Sequence, residues 1–310
     1  RERLQEFDPH MVHIATPSLL GEFGLKYANQ EKLPVISIYH THFISYIDYY
    51  LKSAPFLIDF VKSKVIESQR MFYNRCDMVY IPSESIATEL MEIGISPLRM
   101  KIWKRGIDTQ LFSPDKKDPH LMRRITGNNH PVVLFASRLV WEKNLETLFR
   151  IYDGLKLKNI PFNMVIAGDG TARKIAENRM PDAVFTGKVE HNVLAELYAS
   201  ASVFVFPSVS ETYGNVILEA MASGLPCVIA DGGGSADFIE QGVNGFKCDP
   251  YNEHYYIDKI IMLLGDKNMR KQFITEGLQY SKAFDWGQLA ETYFKDVKKL
   301  AARVAVGIEE

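Results

Sequence analysis

The segment from Val203 to Ala230 reads VFVFPSVSETYGNVILEAMASGLPCVIA, and its pattern indicates how this part of the chain folds. Apolar runs with almost no polar alternation stand at both ends, and such runs are typical of strands buried in a parallel sheet. Between them, a polar loop leads into a short helix that Gly214 and Asn215 open and Gly224 closes. The segment therefore predicts a strand, a loop, a helix and a second strand.

The same alternation of short apolar runs and longer periodic segments extends in both directions, which indicates repeated βα units and parallel sheets. We predict strands at Met11–Ala15, Val35–Tyr39, Met78–Pro82, Lys101–Trp103, Val132–Ala136, Asn163–Ala167, Ala183–Thr186, Val203–Pro207 and Cys227–Ala230. We predict helices at Leu19–Lys32, Pro55–Arg75, Ser83–Ile93, Asn144–Lys158, Asn192–Ala201, Asn215–Ser223, Ser235–Gln241, Glu253–Gly265 and Met269–Arg303. The fold class is α/β, and ligands of such sheets bind at the carboxyl ends of the strands.

Residues 113–131 interrupt this alternation with prolines, a glycine and clustered charges, which are typical of a linker. We therefore expect a first domain over residues 1–120, a second over residues 121–284, and a C-terminal helix over residues 285–310 that could pack back on the first domain. A long surface loop within one domain remains the alternative interpretation of residues 113–131.

The composition excludes some classes of protein. A formal net charge of −2 over 310 residues argues against a nucleic-acid-binding protein. The three cysteines have neither redox nor zinc spacing and suit a reducing compartment, so we expect a cytoplasmic protein. The longest apolar stretches fall far short of the ~20 residues that span a bilayer.

Glu211 and Glu219 flank the beginning of the helix that Gly214 opens. The first N–H groups of a helix are unsatisfied and form an anion site that suits a diphosphate. Carboxylates accept hydrogen bonds from vicinal hydroxyls, so one glutamate can meet a sugar and the other a ribose. Either glutamate alone could instead be a capping or solvated residue.

Arg138 and Lys143 follow another predicted strand and can neutralise a diphosphate leaving group, although each alone would be ordinary surface. Gly168 lies in a tight turn after a third strand. Gly187 and Lys188 end a fourth strand and could offer backbone groups to a base.

In the first domain, His40 follows a strand within Tyr39-His40-Thr41-His42. It could hydrogen-bond a sugar hydroxyl, bind a metal ion or be structural. The lack of neighbouring acidic residues disfavours the metal.

Together these residues resemble family four of the retaining glycosyltransferases, which have the GT-B fold of two Rossmann-like domains facing a cleft. The resemblance spans essentially the whole chain, and the Glu-x7-Glu of Glu211 and Glu219 is its most specific motif. The other matching segments are Tyr39-His40-Thr41, Gly106-Ile107-Asp108 with Phe112 and Pro114, Arg138-Leu139, Glu142-Lys143, Gly168-Asp169-Gly170, Pro207-Ser208 and Ala220–Pro226.

The resemblance implies transfer of a sugar from a UDP- or GDP-sugar to a glycan, lipid or small-molecule acceptor, with retention and without a metal or other cofactor. It implies that Arg138 and Lys143 hold the diphosphate, Glu211 contacts the donor sugar and Glu219 binds the ribose. His40 would face the sugar from the first domain, which gives a catalytic set of Glu211, His40, Arg138 and Lys143. The rest of the implied donor site is Gly168, Gly187, Lys188, Thr212, Tyr213, Gly214 and Asn215.

The beginning of the chain departs from the family pattern, because no strand with a glycine-rich loop precedes Arg1. We expect the first domain to lack its initial strands and the chain to transfer sugar poorly or not at all. Alternatives are a nucleotide-sugar-binding fragment without turnover, or another GT-B enzyme such as an epimerase or a phosphorylase. The combination of Arg138 and Lys143 with Glu-x7-Glu disfavours both of these enzymes.

Residues 52–75 mix basic and apolar side chains. This pattern predicts either a helix packed on the core with a solvated face, or a basic amphipathic helix that associates with an anionic membrane near a lipid acceptor.

Overall fold

The structure is a computed structural model that describes residues 1–40, 44, 47–48, 51–52, 54–284 and 286–306. It divides into a first unit, residues 1–105 with the C-terminal segment from Trp286, and a second unit, residues 106–285. Each unit is an α/β layer structure built on its own parallel sheet.

The first unit contains four parallel strands in the spatial order β1-β2-β3-β4. The strands are β1 (Val12–Ile14), β2 (Val35–Ile38), β3 (Met78–Ile81) and β4 (Met100–Ile102). The helices are α1 (Glu2–Phe7), α2 (Leu19–Gln30), α3 (Ile58–Tyr73) and α4 (Glu84–Glu92). Serine residues cap two of the helices, since Ser18 Oγ accepts from the Gly21 amide at 3.2 Å and Ser83 Oγ from the Ile86 amide at 3.4 Å.

The C-terminal helix α12 (Trp286–Val306) belongs to the first unit. Side chains alternate across the sheet, so Val35 and Val79 join the core under α2, α3 and α4, whereas Ile36 and Tyr80 meet Leu300 of α12. Asp296 ties the helix down: it accepts from the Tyr80 hydroxyl at 2.8 Å and from Lys101 Nζ at 2.6 Å. Burial, aided by this bond to Asp296, raises the pKa of Tyr80.

The second unit contains six parallel strands in the order β10-β9-β8-β5-β6-β7. The strands are β5 (Val132–Ala136), β6 (Asn163–Ala167), β7 (Val184–Gly187), β8 (Val203–Phe206), β9 (Cys227–Ala230) and β10 (Gly245–Cys248). The helices are α5 (Leu121–Thr126), α6 (Leu145–Leu157), α7 (Arg173–Arg179), α8 (His191–Ser200), α9 (Asn215–Ala222), α10 (Glu253–Gly265) and α11 (Lys267–Ser281). The chain passes from β5 through β6 to β7 at one edge of the sheet and then returns to place β8 on the other side of β5. The order in which strands are added therefore reverses between β5 and β8, although the two strands are parallel.

The second unit begins earlier than the expected boundary after residue 120. Ile107, Phe112 and Leu121 are buried in its core, and the Ile107 amide donates to the Phe284 carbonyl at 2.9 Å. The segment taken as a linker therefore starts within this unit, because its apolar side chains anchor it there. It holds α5 and a short 3-10 turn at Pro114–Lys116.

The predicted α/β class with two Rossmann-like domains is confirmed, and predicted strands lie within a few residues of the observed ones. Three details were wrong. The helix predicted at Ser235–Gln241 is only a 3-10 turn at Ala236–Phe238, and the helix predicted at Met269–Arg303 is split by a 3-10 turn at Lys282–Phe284 whose Phe284 is buried. Strand β10 was missed, since its glycine and lysine break the apolar pattern of an edge strand.

Candidate active site

Four loops lie at the carboxyl edge of the second sheet, and backbone hydrogen bonds join them in two pairs. The loop after β5 binds the loop after β6, because the Leu139 amide donates to the Asp169 carbonyl at 2.9 Å. The loop after β8 binds the loop after β9, because the Gly234 amide donates to the Glu211 carbonyl at 2.8 Å. Parallel α/β sheets bind ligands where the strand order reverses, which here lies between β5 and β8.

Lys143 and Glu211 meet at this reversal point. Lys143 is only 4% exposed, and its Nζ forms an ion pair with Glu211 Oε1 and donates to Ser210 Oγ at 3.3 Å. A buried ammonium group is costly unless an anion lies beside it. The site therefore holds a fixed positive charge whose anionic partner is one of the two predicted glutamates.

The turn that presents Lys143 is fixed by Asn144. Asn144 has the left-handed backbone conformation with a φ of 55°, which asparagine tolerates better than most residues. Its Nδ2 donates to the carbonyls of Pro207 at 3.0 Å and Pro250 at 2.7 Å. This amide links the loops after β5 and β8, so the lysine and the glutamate are held on one rigid frame.

Arg138 lies on the same loop but in a different environment. Its side chain is 67% exposed, and its Nη2 is 3.9 Å from Glu142 Oε1. The structure thus brings Lys143 and Glu211 into contact and leaves Arg138 at the solvent edge of the loop.

The N-terminus of α9 follows Glu211 directly. Gly214 is the N-cap with a φ of 80°, and the side chain of Asn215 is exposed. Thr212 and Tyr213 are buried, and the Tyr213 ring packs edge-on against Phe238 at 4.9 Å. The tyrosine side chain is therefore a packing group, and the ligand-binding capacity of this stretch lies in its backbone amides.

Glycines in the neighbouring loops allow the backbones to approach one another. A Cβ on Gly234 would lie 2.0 Å from the Thr212 carbonyl oxygen, and a Cβ on Gly168 would lie 1.9 Å from that of Ser137. Gly234 and Gly168 are required for loop packing, because a side chain at either position would collide with the backbone of the neighbouring loop.

Gly187 and Lys188 end β7 beside the Gly168 turn. Gly187 has a φ of 71°, and its carbonyl accepts from the Gly168 amide at 2.8 Å. Nη1 of Arg173 lies 3.1 Å from the position that a Gly187 Cβ would occupy. The Lys188 side chain is exposed, whereas Arg173 is paired with Asp169 and Glu177, each at 2.8 Å, so this end of the sheet offers backbone groups and the ammonium group of Lys188.

Glu219 lies further along α9, half-buried beside the Tyr198 hydroxyl, which donates to its Oε2 at 3.4 Å. Burial raises the pKa of Glu219 to about 6, and the nearby His191 and the Tyr198 hydrogen bond act in the opposite direction. A carboxylate near an apolar wall accepts hydrogen bonds strongly, because water competes weakly there.

His40 belongs to the first unit, where it is half-buried two residues after the end of β2. The preceding Tyr39 is buried, and its ring packs edge-on against Tyr73 at 5.6 Å. The rest of the predicted histidine loop, residues 41–43, lies outside the described residues. Within the described ranges, no group of three or more His, Cys, Asp or Glu side chains could hold a metal ion.

Sequence reasoning missed Asn144, Ser210 and Tyr198 as parts of this site. The sequence places Asn144 at the beginning of a helix. Tyr198 is one of the regularly spaced apolar residues of α8, so the sequence does not distinguish it from an ordinary core residue. Their contacts depend on how β5 and β8 pair, which no local pattern reveals.

Two parallel α/β sheets, with a polar site where the strand order of the second sheet reverses, are typical of nucleotide-binding enzymes. The chain matches the family described as "Glycosyl transferases group 1" over residues 121–280 and "Glycosyltransferase Family 4" over residues 1–111. The chain belongs to this family of glycosyltransferases, which confirms the resemblance drawn from the sequence.

Solved structures share the fold at low sequence identity. Sucrose-phosphate synthase from Thermosynechococcus elongatus is 20% identical with a TM-score of 0.81, over 97% of this chain and 76% of that one. HepE from Anabaena, in complex with UDP-glucose, is 20% identical with a TM-score of 0.76, over 94% of this chain and 79% of that one.

Curated relatives are more similar in sequence. Sulfoquinovosyl transferase SQD2 of Arabidopsis thaliana is 32% identical over 91% of this chain and 55% of its own length. A GDP-mannose-dependent alpha-mannosyltransferase of Mycolicibacterium smegmatis is 34% identical over 79% of this chain and 64% of its own length. Alpha-monoglucosyldiacylglycerol synthase of Streptococcus pneumoniae is 29% identical over 95% and 68%. The chain thus spans about half to two thirds of the length of these relatives.

Proposed function

We propose that this protein transfers a sugar from a nucleotide-diphosphate donor to a glycan, lipid or small-molecule acceptor. The observation that carries the proposal is the buried Lys143, paired with Glu211 at the reversal point of the second sheet and adjacent to the N-terminus of α9. Relatives whose names specify GDP-mannose, and a structural neighbour in complex with UDP-glucose, support a UDP- or GDP-sugar as the donor.

Each residue of the donor site has a role in this proposal. Lys143 and Arg138 hold the diphosphate and stabilise the negative charge that develops as it leaves. Glu211 and the backbone amides of residues 212–214 hold the donor sugar, and Glu219 accepts hydrogen bonds from the ribose. Asn215 lies at the helix N-terminus that faces the diphosphate, and residues 168, 187 and 188 form the side that receives the base.

A diphosphate that binds Lys143 competes with Glu211 for the same ammonium group. The competition frees Oε1 of Glu211 to accept a hydrogen bond from a sugar hydroxyl at the moment when the donor is in place. Donor binding and alignment of the sugar-binding carboxylate are therefore coupled through one ion pair.

We further propose that transfer retains the anomeric configuration. The acceptor oxygen attacks C1 from the face that the phosphate leaves: the C1–O(phosphate) bond breaks, the C1–O(acceptor) bond forms, and the acceptor proton passes to the departing phosphate oxygen. No protein side chain is assigned as a general base. His40 of the first unit is assigned to the donor sugar, on the resemblance of Tyr39-His40-Thr41 to the family pattern.

The test combines binding with turnover. Isothermal titration of the whole chain with UDP-, GDP- and ADP-sugars identifies the donor, and chromatography with anomeric NMR then follows transfer to glycan and lipid acceptors. We expect one donor to bind and its sugar to appear on an acceptor with retained configuration. Binding without turnover would leave a nucleotide-sugar-binding protein, an epimerised donor would indicate an epimerase, and no binding at all would contradict the proposal.

We propose in addition that the protein is cytoplasmic and works at the inner face of a membrane, on a lipid or lipid-linked acceptor. Phe56, in the 3-10 turn Pro55–Leu57 that precedes α3, is 83% exposed, and Phe60, in the first turn of α3, is 63% exposed, whereas the C-terminal end of α3 buries Phe72 and Tyr73. A relative whose name specifies a diacylglycerol product supports a lipid acceptor. The helices of the described ranges are too short or too polar to cross a membrane.

The nearby charges limit this second proposal, because Lys62 pairs with Asp48 at 2.8 Å and Lys64 with Glu67 at 3.0 Å. The apolar side chains should therefore supply most of the binding. We expect Phe56→Ser with Phe60→Ser to reduce co-sedimentation with anionic phospholipid vesicles, and Leu157→Ser, at an exposed apolar position of the second unit, to leave it unchanged. Equal sedimentation of all three proteins would exclude α3 as the membrane-binding element.

A further inference from the structure

Tyr198 is a fully buried residue of α8 whose hydroxyl reaches the predicted ribose carboxylate on α9. The hydroxyl lies 3.4 Å from Glu219 Oε2, and the side chain has no solvent exposure. A buried phenol needs a hydrogen-bond partner, and Glu219 is the partner that this structure gives it.

The ring of Tyr198 is held from two sides. Phe112 packs edge-on at 6.1 Å and Phe204 edge-on at 5.5 Å. Because both neighbours are themselves buried core residues, the hydroxyl has a fixed position relative to the sheet. The Glu219 carboxylate, in contrast, is at the end of a flexible side chain. The hydrogen bond between them therefore lets the Tyr198 hydroxyl orient the carboxylate.

We propose that Tyr198 is a positioning residue that orients the Glu219 carboxylate toward the two ribose hydroxyls and thereby favours ribonucleotide donors. This inference rests on the proposed function of Glu219. An ionised carboxylate accepts several hydrogen bonds, so one oxygen can remain on Tyr198 while the group still receives a vicinal diol. Removing the Tyr198 hydroxyl would leave the Glu219 carboxylate free to rotate away from the ribose.

The groups that face Glu219 and affect its charge are His191, at the beginning of α8, and Tyr198 itself. Cys227 faces Tyr198 from β9, and burial raises the pKa of its thiol, so it is neutral at ordinary pH. Removing the Tyr198 hydroxyl takes away an interaction that lowers the pKa of Glu219. The pH below which ribonucleotide binding weakens should therefore rise.

The test is Tyr198→Phe in the whole chain, which deletes one oxygen and keeps the ring. The probes are the nucleoside diphosphate of the preferred donor and its 2′,3′-dideoxy analogue, titrated calorimetrically between pH 5 and pH 8. We expect the dissociation constant of the ribonucleotide to rise about five- to tenfold, as for one lost hydrogen bond, and that of the dideoxy analogue to change less than about twofold. The acidic limb of the ribonucleotide profile should move to higher pH.

Tyr152→Phe is the matched control. Tyr152 is also a buried tyrosine of the second unit whose hydroxyl donates to a carboxylate, that of Asp182 at 3.2 Å, but it lies on α6 away from the site. Its loss should affect stability alone. A double-mutant cycle with Glu219→Gln adds a second readout, because Tyr198→Phe should have no further effect once the carboxylate is gone.

An equal effect of Tyr198→Phe on both nucleotides, or no effect on either, would overturn the inference and reduce Tyr198 to a packing residue. Failure of the unsubstituted protein to bind any nucleotide would overturn the proposed function instead, and this inference with it.

Discussion

Glu211 and Glu219 lie at the same edge of one sheet, yet their surroundings differ in charge. Glu211 contacts the buried ammonium group of Lys143, whereas Glu219 contacts the neutral phenol of Tyr198 and has its pKa raised to about 6 by burial. In the sequence the two glutamates form one motif. In the structure Glu211 belongs to an ion pair with Lys143, whereas Glu219 accepts a hydrogen bond from Tyr198. Spacing in the sequence therefore identifies the motif, whereas the neighbouring residues in the fold decide what each carboxylate can do.

The largest effect is expected from removing the charge of Glu211. Glu211→Gln should lower the rate of sugar transfer by about 10²-fold or more, because an oriented carboxylate at the reacting sugar is lost. Affinity for the nucleoside diphosphate should hold or increase, since Lys143 loses its competing partner. Steady-state kinetics and calorimetry measure the two quantities.

Glu146→Gln, at an exposed position of α6, is the control for Glu211→Gln. If Glu211→Gln weakened nucleotide binding more than Glu219→Gln did, the two assigned roles would be reversed.

Next in size is the contrast between a buried and an exposed cation. Lys143→Ala should weaken nucleoside diphosphate binding by about 10- to 100-fold, as expected for a desolvated charge-assisted contact. Arg138→Ala should weaken it less, because the guanidinium of Arg138 is largely in water. Calorimetric dissociation constants at two salt concentrations check the order, and a larger loss from Arg138→Ala would show that the arginine closes over the ligand.

The loop that carries Glu211 can be tested through its backbone packing. Gly234→Ala should reduce the unfolding free energy by about 1–3 kcal/mol, because the new Cβ would lie 2.0 Å from the Thr212 carbonyl oxygen. Gly265→Ala is the control, since nothing lies within 4 Å of its added Cβ. Chemical denaturation measures both, and equal stability of the two variants would mean that the loops after β8 and β9 separate easily.

A further expected effect concerns the proton of Glu219. Its pKa is raised from 4.5 to about 6, so the folded protein binds this proton more tightly than the unfolded chain does. The stabilisation is fully present below pH 4.5 and is lost as the pH rises through 6, at a cost of about 2 kcal/mol. As the pH rises from 4.5 to 7, the unfolding free energy of the unsubstituted protein should therefore fall by about 2 kcal/mol more than that of Glu219→Gln. Identical pH dependence of the two proteins would place Glu219 in water.

Much of the fold was predictable because it depends on local patterns. The apolar runs at Val132–Ala136 and Cys227–Ala230 have the observed strand bounds, since buried parallel strands need continuous apolar side chains. The missed strand Gly245–Cys248 lies at the edge of the sheet, where that requirement is relaxed. The domain boundary was misplaced because Ile107 and Phe112 enter the core of the second unit through contacts distant in sequence.

The site was predictable in composition and not in arrangement. Charged residues after strands point to the carboxyl edge of the sheet, so Lys143 and Glu211 were both candidates. Their direct pairing follows from the proximity of β5 and β8, which are separated in the chain by two other strands. The role of Tyr198 was hidden for the same reason, because only the packing of α8 against α9 reveals its partner.

The most direct test of the account is a crystal structure of the protein with the nucleoside diphosphate of its donor. We expect the ribose hydroxyls at hydrogen-bond distance, about 3 Å, from the Glu219 carboxylate, and a phosphate oxygen at a similar distance from Lys143 Nζ. A ribose bound to Glu211, or a nucleotide away from the carboxyl edge of the second sheet, would contradict it.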